Sequence, residues 1–270
     1  MIEPASDSKA GARRHALVVE DLGRIDYALG YETQLERVEA VLGARAAAEA
    51  GDVAAPRAVG HLLLLEHDPP VITISRRPNA RAHLTATDAQ LRAAGVEVAE
   101  TDRGGDITYH GPGQLVVYPI LDLSLLGLGL HDYMRLLERI VIAVCESFGL
   151  RAHRDICATG VWVGGEQASS TMQQGGAARD ADAACAGPAG GSKICAMGVR
   201  VRRWVSMHGL ALNVRTNLDH FNLIVPCGLA GRTVTSLERE LGASCPTMQQ
   251  VKATLTDRFN SEIAAIFNDR

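Results

Sequence analysis

The stretch Arg103-Gly-Gly-Asp-Ile-Thr-Tyr-His110-Gly-Pro-Gly-Gln-Leu-Val-Val-Tyr118 sets two glycines, a polar run and a glycine-proline turn before an apolar strand. Adjacent glycines let the backbone approach a ligand closely, because no Cβ intervenes. Thr108, Tyr109 and His110 supply polar groups beside that backbone. Polar side chains at the mouth of a buried strand are typical of a site on a rigid scaffold. A solvated, glycine-rich surface hairpin is the alternative interpretation.

The elements around this stretch predict the class of fold. Helical periodicity predicts helices over 25–49, 88–94 and 132–148, and from Thr247 onward, where Gln250 completes a capping box. Apolar and β-branched runs predict strands at 16–19, 61–66, 71–74, 96–99, 115–121 and 160–163, and a hairpin of 193–201 and 204–214. Several strands follow one another without a helix between them. The pattern therefore favours an α/β fold of the α+β type, with a mixed β-sheet flanked by helices.

The chain is predicted to form one domain over residues 15–270. Its 270 residues are enough for one or two domains, but no repeat and no exposed linker divides the core. Residues 1–14 are polar and are expected to be disordered. Residues 164–191 are rich in Gly, Ala, Ser and Gln with hardly an apolar anchor, which predicts a flexible surface insertion.

Composition argues against several kinds of partner. The net charge of −4 creates no global basic field, so neither nucleic acid nor a membrane surface is expected as a partner. The apolar runs are far shorter than the ~20 residues that span a bilayer. The N-terminus lacks the apolar segment of a signal peptide, and we expect a cytoplasmic protein. No Cys/His spacing is typical of a metal site.

The six cysteines are expected to be free thiols, and Cys227 is the candidate nucleophile. It lies between Pro226 and Gly228, after the apolar pair Ile224-Val225. A strand end followed by Cys-Gly places a thiol beside free backbone amides, which can donate to a developing oxyanion. The competing interpretation is a small buried hydrophobic residue.

Lys193 is the candidate group for activating a thiol. It follows Gly191-Ser192 and begins an apolar segment, so its ammonium is either solvated or held against a low-dielectric pocket. An ammonium near a thiol favours the thiolate and lowers the thiol pKa. The spacing leaves open whether Lys193 meets Cys227, and His110 and His208 remain rival partners. No P-loop or dinucleotide fingerprint is present.

Four blocks of the chain resemble one known family. They are Arg103 to Tyr118, Lys193 to Gly198, Trp204 to Asn213 and Phe221 to Gly228, preceded by the turn Glu66-His67-Asp-Pro-Pro70. In this order they resemble the lipoate-protein ligase B family, the octanoyl-[acyl-carrier-protein]:protein octanoyltransferases. The resemblance implies the fold of the biotin and lipoate protein ligase catalytic domains.

The resemblance also implies a two-step acyl transfer by a monomer, without ATP or metal. Cys227 would take octanoyl from the phosphopantetheine thioester of acyl carrier protein, with Lys193 holding the cysteine as thiolate. The acyl group would then pass to a lysine ε-amine on a lipoyl domain of a 2-oxoacid dehydrogenase complex or of the glycine cleavage H protein. The implied substrate-binding residues are Arg103, Gly104, Gly105, Asp106, Ile107, Thr108, Tyr109, His110, Ala196, Met197, Gly198, Gly209, Leu210 and Ala211.

Three departures and two rivals accompany the resemblance. The segments 164–191 and 43–58 look longer than the family's usual loops, and Cys195 occupies a position where a small residue is more usual. An ATP-dependent lipoate or biotin ligase lacks the Pro-Cys-Gly block seen here. A catalytically inactive lipoyl-domain binding protein would not need Lys193 and Cys227.

The resemblance also suggests how the donor approaches. An acidic carrier protein would meet Arg103, Arg202 or Arg203 by electrostatic steering.

Overall fold

The computed structural model describes residues 17–51, 58–155, 158–165, 191–225 and 232–268. The predicted disordered N-terminus, nearly all of the predicted insertion and Cys227 lie outside these ranges. No helix within them has the length and apolar character needed to cross a membrane.

The described residues form eleven strands and six α-helices. The strands are β1 (Leu17–Ile25), β2 (Gly60–His67), β3 (Val71–Ser75), β4 (Glu97–Thr101), β5 (Ile107–His110), β6 (Gln114–Leu121), β7 (Ala152–Arg154), β8 (Val161–Val163), β9 (Ser192–Arg202), β10 (Val205–Asn213) and β11 (Thr233–Val234). The helices are α1 (Tyr27–Glu49), α2 (Asp88–Ala94), α3 (Leu123–Leu126), α4 (Leu130–Ser147), α5 (Leu237–Leu241) and α6 (Met248–Asn268). Three 3-10 turns lie at Ala80–His83, Leu218–Leu223 and Gly242–Ser244.

Two sheets result, and the predicted mixed sheet is confirmed. The large sheet has the order β1-β2-β6-β10-β9-β8-β7, with β11 beside β9. The pairs β1/β2 and β9/β11 are parallel, and the other pairs are antiparallel. The small sheet has the order β4-β3-β5.

Strand β2 shows why the apolar run at 62–65 is continuous. Leu62 and Leu64 belong to the core that includes residues of α4 and α6, whereas Leu63 and Leu65 belong to a second core with residues of α1. Side chains alternate between the faces of a strand, so a strand covered on both faces needs apolar residues at every position.

The strand predicted at 16–19 is too short, since β1 extends to Ile25. Its second half is polar and irregular, with a shift of register between Asp21 and Gly23. This edge strand is held by parallel backbone pairing with β2 and leaves several side chains exposed, so an apolar pattern could not reveal its full length. The capping box at Thr247 is confirmed: its backbone N–H donates to Gln250 Oε1 at 2.8 Å.

The small sheet attaches to the large one beside the predicted glycine stretch. Strand β8 pairs with only the first residues of β9, and the remaining edge of β9 receives the loop between β4 and β5. The N–H of Gly104 in that loop donates to the carbonyl of Val199 at 2.9 Å. This contact holds the loop against the central strands.

Candidate active site

A cavity of about 450 Å³ opens where the two sheets meet. Three apolar side chains from two elements share its wall: Val116 of β6, and Leu130 and Met134 of α4. The sequence-predicted residues in its lining are Arg103, Gly104, Gly105, Thr108, His110, Lys193, Ala196, Met197, Gly198, Gly209, Leu210 and Ala211.

Three predicted substrate-binding residues are not part of this lining: Asp106, Ile107 and Tyr109. Ile107 and Tyr109 point to the opposite face of β5 and pack in the core of the small sheet, because side chains alternate along a strand. The Oη atom of Tyr109 lies 2.8 Å from Nδ1 of His220. Asp106 pairs with His83, whose Nδ1 lies 2.6 Å from a carboxylate oxygen.

Lys193 is buried on β9, with its ammonium facing an aromatic ring. Its Nζ atom lies 4.8 Å from the centroid of the Trp162 ring. The guanidinium of Arg232 lies 3.8 Å from the same centroid and forms an ion pair with Asp155. Trp162 is fully buried on β8, so the cavity-lining Lys193 and the neighbouring Arg232 lie against one rigid ring.

Cys227 belongs to residues 226–231, which the structure does not describe. The positions on either side of that segment are held by backbone pairing. The N–H of Val225 donates to the carbonyl of His83 at 2.8 Å. After the segment, Val234 pairs with Lys193 in the parallel β9/β11 ladder. The strand that follows residues 226–231 therefore lies beside the candidate activating lysine.

Two glycines allow the loop and β9 to touch. A Cβ on Gly198 would lie 2.5 Å from the carbonyl oxygen of Gly104. A Cβ on Gly104 would lie 2.9 Å from the carbonyl oxygen of Val199. Both contacts are with backbone atoms, which cannot rotate away as a side chain would. The glycines are thus required for the close approach that shapes this wall of the cavity.

Arg103 fastens the glycine loop to the small sheet. Its guanidinium donates to the carbonyl of Thr73 at 2.8 Å and to that of Asp106 at 3.2 Å. The side chain still lines the cavity, where its charge contributes to a positive potential.

Three buried histidines lie beside the cavity and are held in the neutral form. Burial lowers the pKa of His67 to about 4, and burial also places the pKa of His110 well below its ordinary value. His67 Nε2 lies 2.7 Å from Tyr118 Oη, and His110 Nδ1 lies 2.7 Å from Gln114 Oε1. A lowered pKa makes His110 a weak base, which favours Lys193 over the Cys–His alternative.

His208 has an unusual backbone for a residue within a strand. Its φ of 56° is in the left-handed region, and its N–H donates to Gln34 Oε1 at 2.7 Å. Its Nε2 atom lies 2.9 Å from Asp102 Oδ1, and burial lowers its pKa to about 3. Such backbone strain clusters at functional sites, and His208 lines the cavity.

Three cysteines lie in the described ranges, and their thiols are shielded from solvent. Cys145, Cys195 and Cys245 are buried free thiols. Burial raises the pKa of Cys145 to about 12 and also raises the pKa of Cys195. Burial and a raised pKa both disfavour the thiolate, which is the nucleophilic form of a cysteine. In the described ranges, no group of three His, Cys, Asp or Glu side chains is arranged to hold a metal ion.

Several lining residues were missed by the analysis of the sequence. Tyr27 begins α1 and Arg77 follows β3, and both reach the cavity from elements far from the quoted blocks. Trp162 contacts the cavity-lining Lys193, but the sequence predicted only that it lies in a strand. A two-residue alternation along β5 was the available signal that Thr108 and His110 share one face. No local pattern reveals which distant side chains converge on that face.

Comparison with known proteins identifies related sequences. Residues 31–260 match the family model described as the lipoyl protein ligase A/B catalytic domain. An octanoyltransferase of Cytophaga hutchinsonii is 41% identical over 241 residues, which cover 88% of this chain and 88% of that protein. An octanoyltransferase of Myxococcus xanthus is 40% identical over 245 residues, which cover 91% of this chain and 59% of that protein.

A solved structure shares the fold. The bi-partite lipoate protein ligase of Thermoplasma acidophilum superposes with a TM-score of 0.60 at 16% identity, covering 93% of this chain and 84% of that one. At this identity the likeness concerns the fold alone. The shared fold is the mixed sheet with flanking helices that the sequence predicted.

Proposed function

This chain belongs to the lipoyl protein ligase A/B catalytic-domain family, and we propose that it transfers octanoyl from octanoyl-acyl carrier protein to lipoyl-domain lysines. The identity of about 40% to octanoyltransferases over most of the chain carries this proposal. The convergence of Lys193 and three of the four sequence blocks on one cavity supports it.

The first step is a thioester exchange. The thiolate of Cys227 attacks the thioester carbonyl of the donor, the carbon–sulfur bond to phosphopantetheine breaks, and the released thiolate takes up a proton. Lys193 stabilises the Cys227 thiolate by its positive charge. One thioester replaces another, so the step is nearly isoenergetic and needs neither ATP nor a metal.

The second step forms an amide. The neutral ε-amine of the acceptor lysine attacks the octanoyl-Cys227 carbonyl, the cysteine leaves as thiolate, and the amine loses a proton. An amide is more stable than a thioester, which drives the overall reaction forward. Apolar residues of the wall, such as Val116, Met134 and Leu210, are placed to cover the acyl chain. Each buried methylene contributes about 0.8 kcal/mol to binding.

An acyl-transfer assay tests this function. The protein is incubated with octanoyl-acyl carrier protein and an unmodified lipoyl domain, without ATP, and the mass of the lipoyl domain is measured. We expect one octanoyl group per lipoyl domain, and none when the acceptor lysine is replaced by Arg. A product that forms only with ATP and free octanoate would identify an adenylate-forming ligase instead.

A further inference from the structure

Three arginines lie within six residues of one another in the segment that reaches the cavity wall at Arg77. Arg76, Arg77 and Arg81 are exposed in the segment that follows β3, and Arg77 also lines the cavity. Within the ranges that the structure describes, none of the ion pairs involves any of the three. A chain with a net charge of −4 thus presents, within six residues, three exposed guanidinium groups that no carboxylate of the described ranges pairs with.

This arginine segment, residues 76–81, is held against the glycine loop. The backbone N–H of Ser75 donates to the carbonyl of Asp106 at 3.0 Å, and Ser75 Oγ donates to the carbonyl of Gly105 at 2.9 Å. The N–H of Arg77 donates to Ser75 Oγ at 3.2 Å, and Ala80 is only 2% exposed. The three charges therefore stand on a turn whose backbone is fixed relative to the cavity.

The arginines expected from the sequence to steer a partner are less suited to that role. The guanidinium of Arg103 is bound to the carbonyls of Thr73 and Asp106. Arg202 lies 3.9 Å from Glu39, and neither Arg202 nor Arg203 lines the cavity.

We propose that the arginine segment 76–81 is the docking surface for the acidic acyl carrier protein that delivers the octanoyl group. This inference rests on the proposed function. The donor carries its thioester on a prosthetic arm with a phosphodiester, so the arm enters past Arg77 while the acidic carrier faces Arg76 and Arg81.

A charge-neutralised variant tests the inference. Arg76, Arg77 and Arg81 are replaced together by Gln, and release of free carrier from octanoyl-acyl carrier protein is measured without an acceptor. At low ionic strength the second-order rate constant of this single acylation should fall on the order of tenfold, because rim charges act mainly on association. The difference should vanish near 1 M salt, where the Debye length is about 3 Å. Replacing Arg92, Arg151 and Arg239 by Gln alters the net charge equally, away from the cavity, and should leave the rate unchanged.

A second donor separates docking from damage to the site. Octanoyl-pantetheine lacks both the carrier and the phosphate. With this donor the triple Gln variant should react at about the wild-type rate, so the roughly tenfold loss seen with octanoyl-acyl carrier protein should disappear. Equal losses for the two donors, or a loss confined to transfer onto the lipoyl domain, would overturn the inference. A wild-type protein that accepts no octanoyl from the carrier would instead overturn the proposed function itself.

Discussion

The ammonium of Lys193 lies 4.8 Å from the centre of the Trp162 ring, a fully buried side chain on the neighbouring strand. The indole face is a fixed, electron-rich surface that attracts a cation, so it helps to orient the ammonium. The orientation of the ammonium decides how close its positive charge lies to a thiolate. Trp162 is thereby assigned a positioning role for the proposed reaction.

Trp162→Phe should lower the rate of the first acyl transfer on the order of tenfold. The smaller ring weakens a cation–π interaction that contributes about 1–2 kcal/mol. The readout is the pH dependence of Cys227 alkylation, whose midpoint should move upward if Lys193 is less well placed. Trp204→Phe is the control, since Trp204 is 57% exposed and does not line the cavity. An unchanged midpoint in Trp162→Phe would contradict the assignment.

Gly198→Ala should destabilise the protein by about 1–3 kcal/mol, because the new Cβ would collide with the carbonyl oxygen of Gly104. The matched control is Gly43→Ala in α1, where a Cβ would meet nothing within 4 Å. That change should stabilise the protein by about 0.5–1 kcal/mol through helix propensity. Urea unfolding measures both, and a neutral Gly198→Ala would mean that the loop and β9 are not in close contact.

Acidification from pH 6.5 to 4 should lower the free energy of unfolding. Burial lowers the pKa of His67 from 6.5 to about 4, so in this window the unfolded state binds a proton that the folded state does not. Stability then rises with pH by up to ~1.4 kcal/mol per unit for each such group. His67→Gln should reduce this slope, whereas His131→Gln at an exposed position should not. Urea unfolding at a series of pH values measures this slope. A free energy of unfolding that does not change between pH 6.5 and 4 would contradict the lowered pKa of His67.

Cys195→Ala should retain octanoyl transfer within about twofold, because the thiol is buried with a raised pKa and is not expected to react. Brief alkylation of the native protein at pH 8, followed by peptide mass mapping, should leave Cys145 and Cys195 unmodified. The same treatment in urea should label both, which verifies that they are detectable. Rapid native labelling of Cys195 would make it a rival nucleophile.

The sequence allowed the class of fold to be predicted because its signals are local. The continuous apolar run within 61–66 indicated a buried strand, which the structure shows to be covered on both faces, and the Thr247 capping box marked the start of α6. The extent of β1 was not predictable in this way, since an edge strand paired through its backbone tolerates Glu20 and Asp21.

The site was predictable only in part, for a related reason. The adjacent glycines 104 and 105 carry a visible signature of close approach, and both lie in the wall of the cavity. Gly198 was expected there only from the family resemblance. Tyr27, Trp162 and the left-handed backbone of His208 depend on contacts between distant segments. Such contacts leave no trace in a single sequence.

The most direct test of the account is the intact mass of the protein after incubation with octanoyl-acyl carrier protein, without ATP. We predict one octanoyl group on the wild type, removable by hydroxylamine as a thioester is, and none on Cys227→Ala. The absence of any adduct on the wild type, or an adduct that persists in Cys227→Ala, would contradict a Cys227 thioester intermediate.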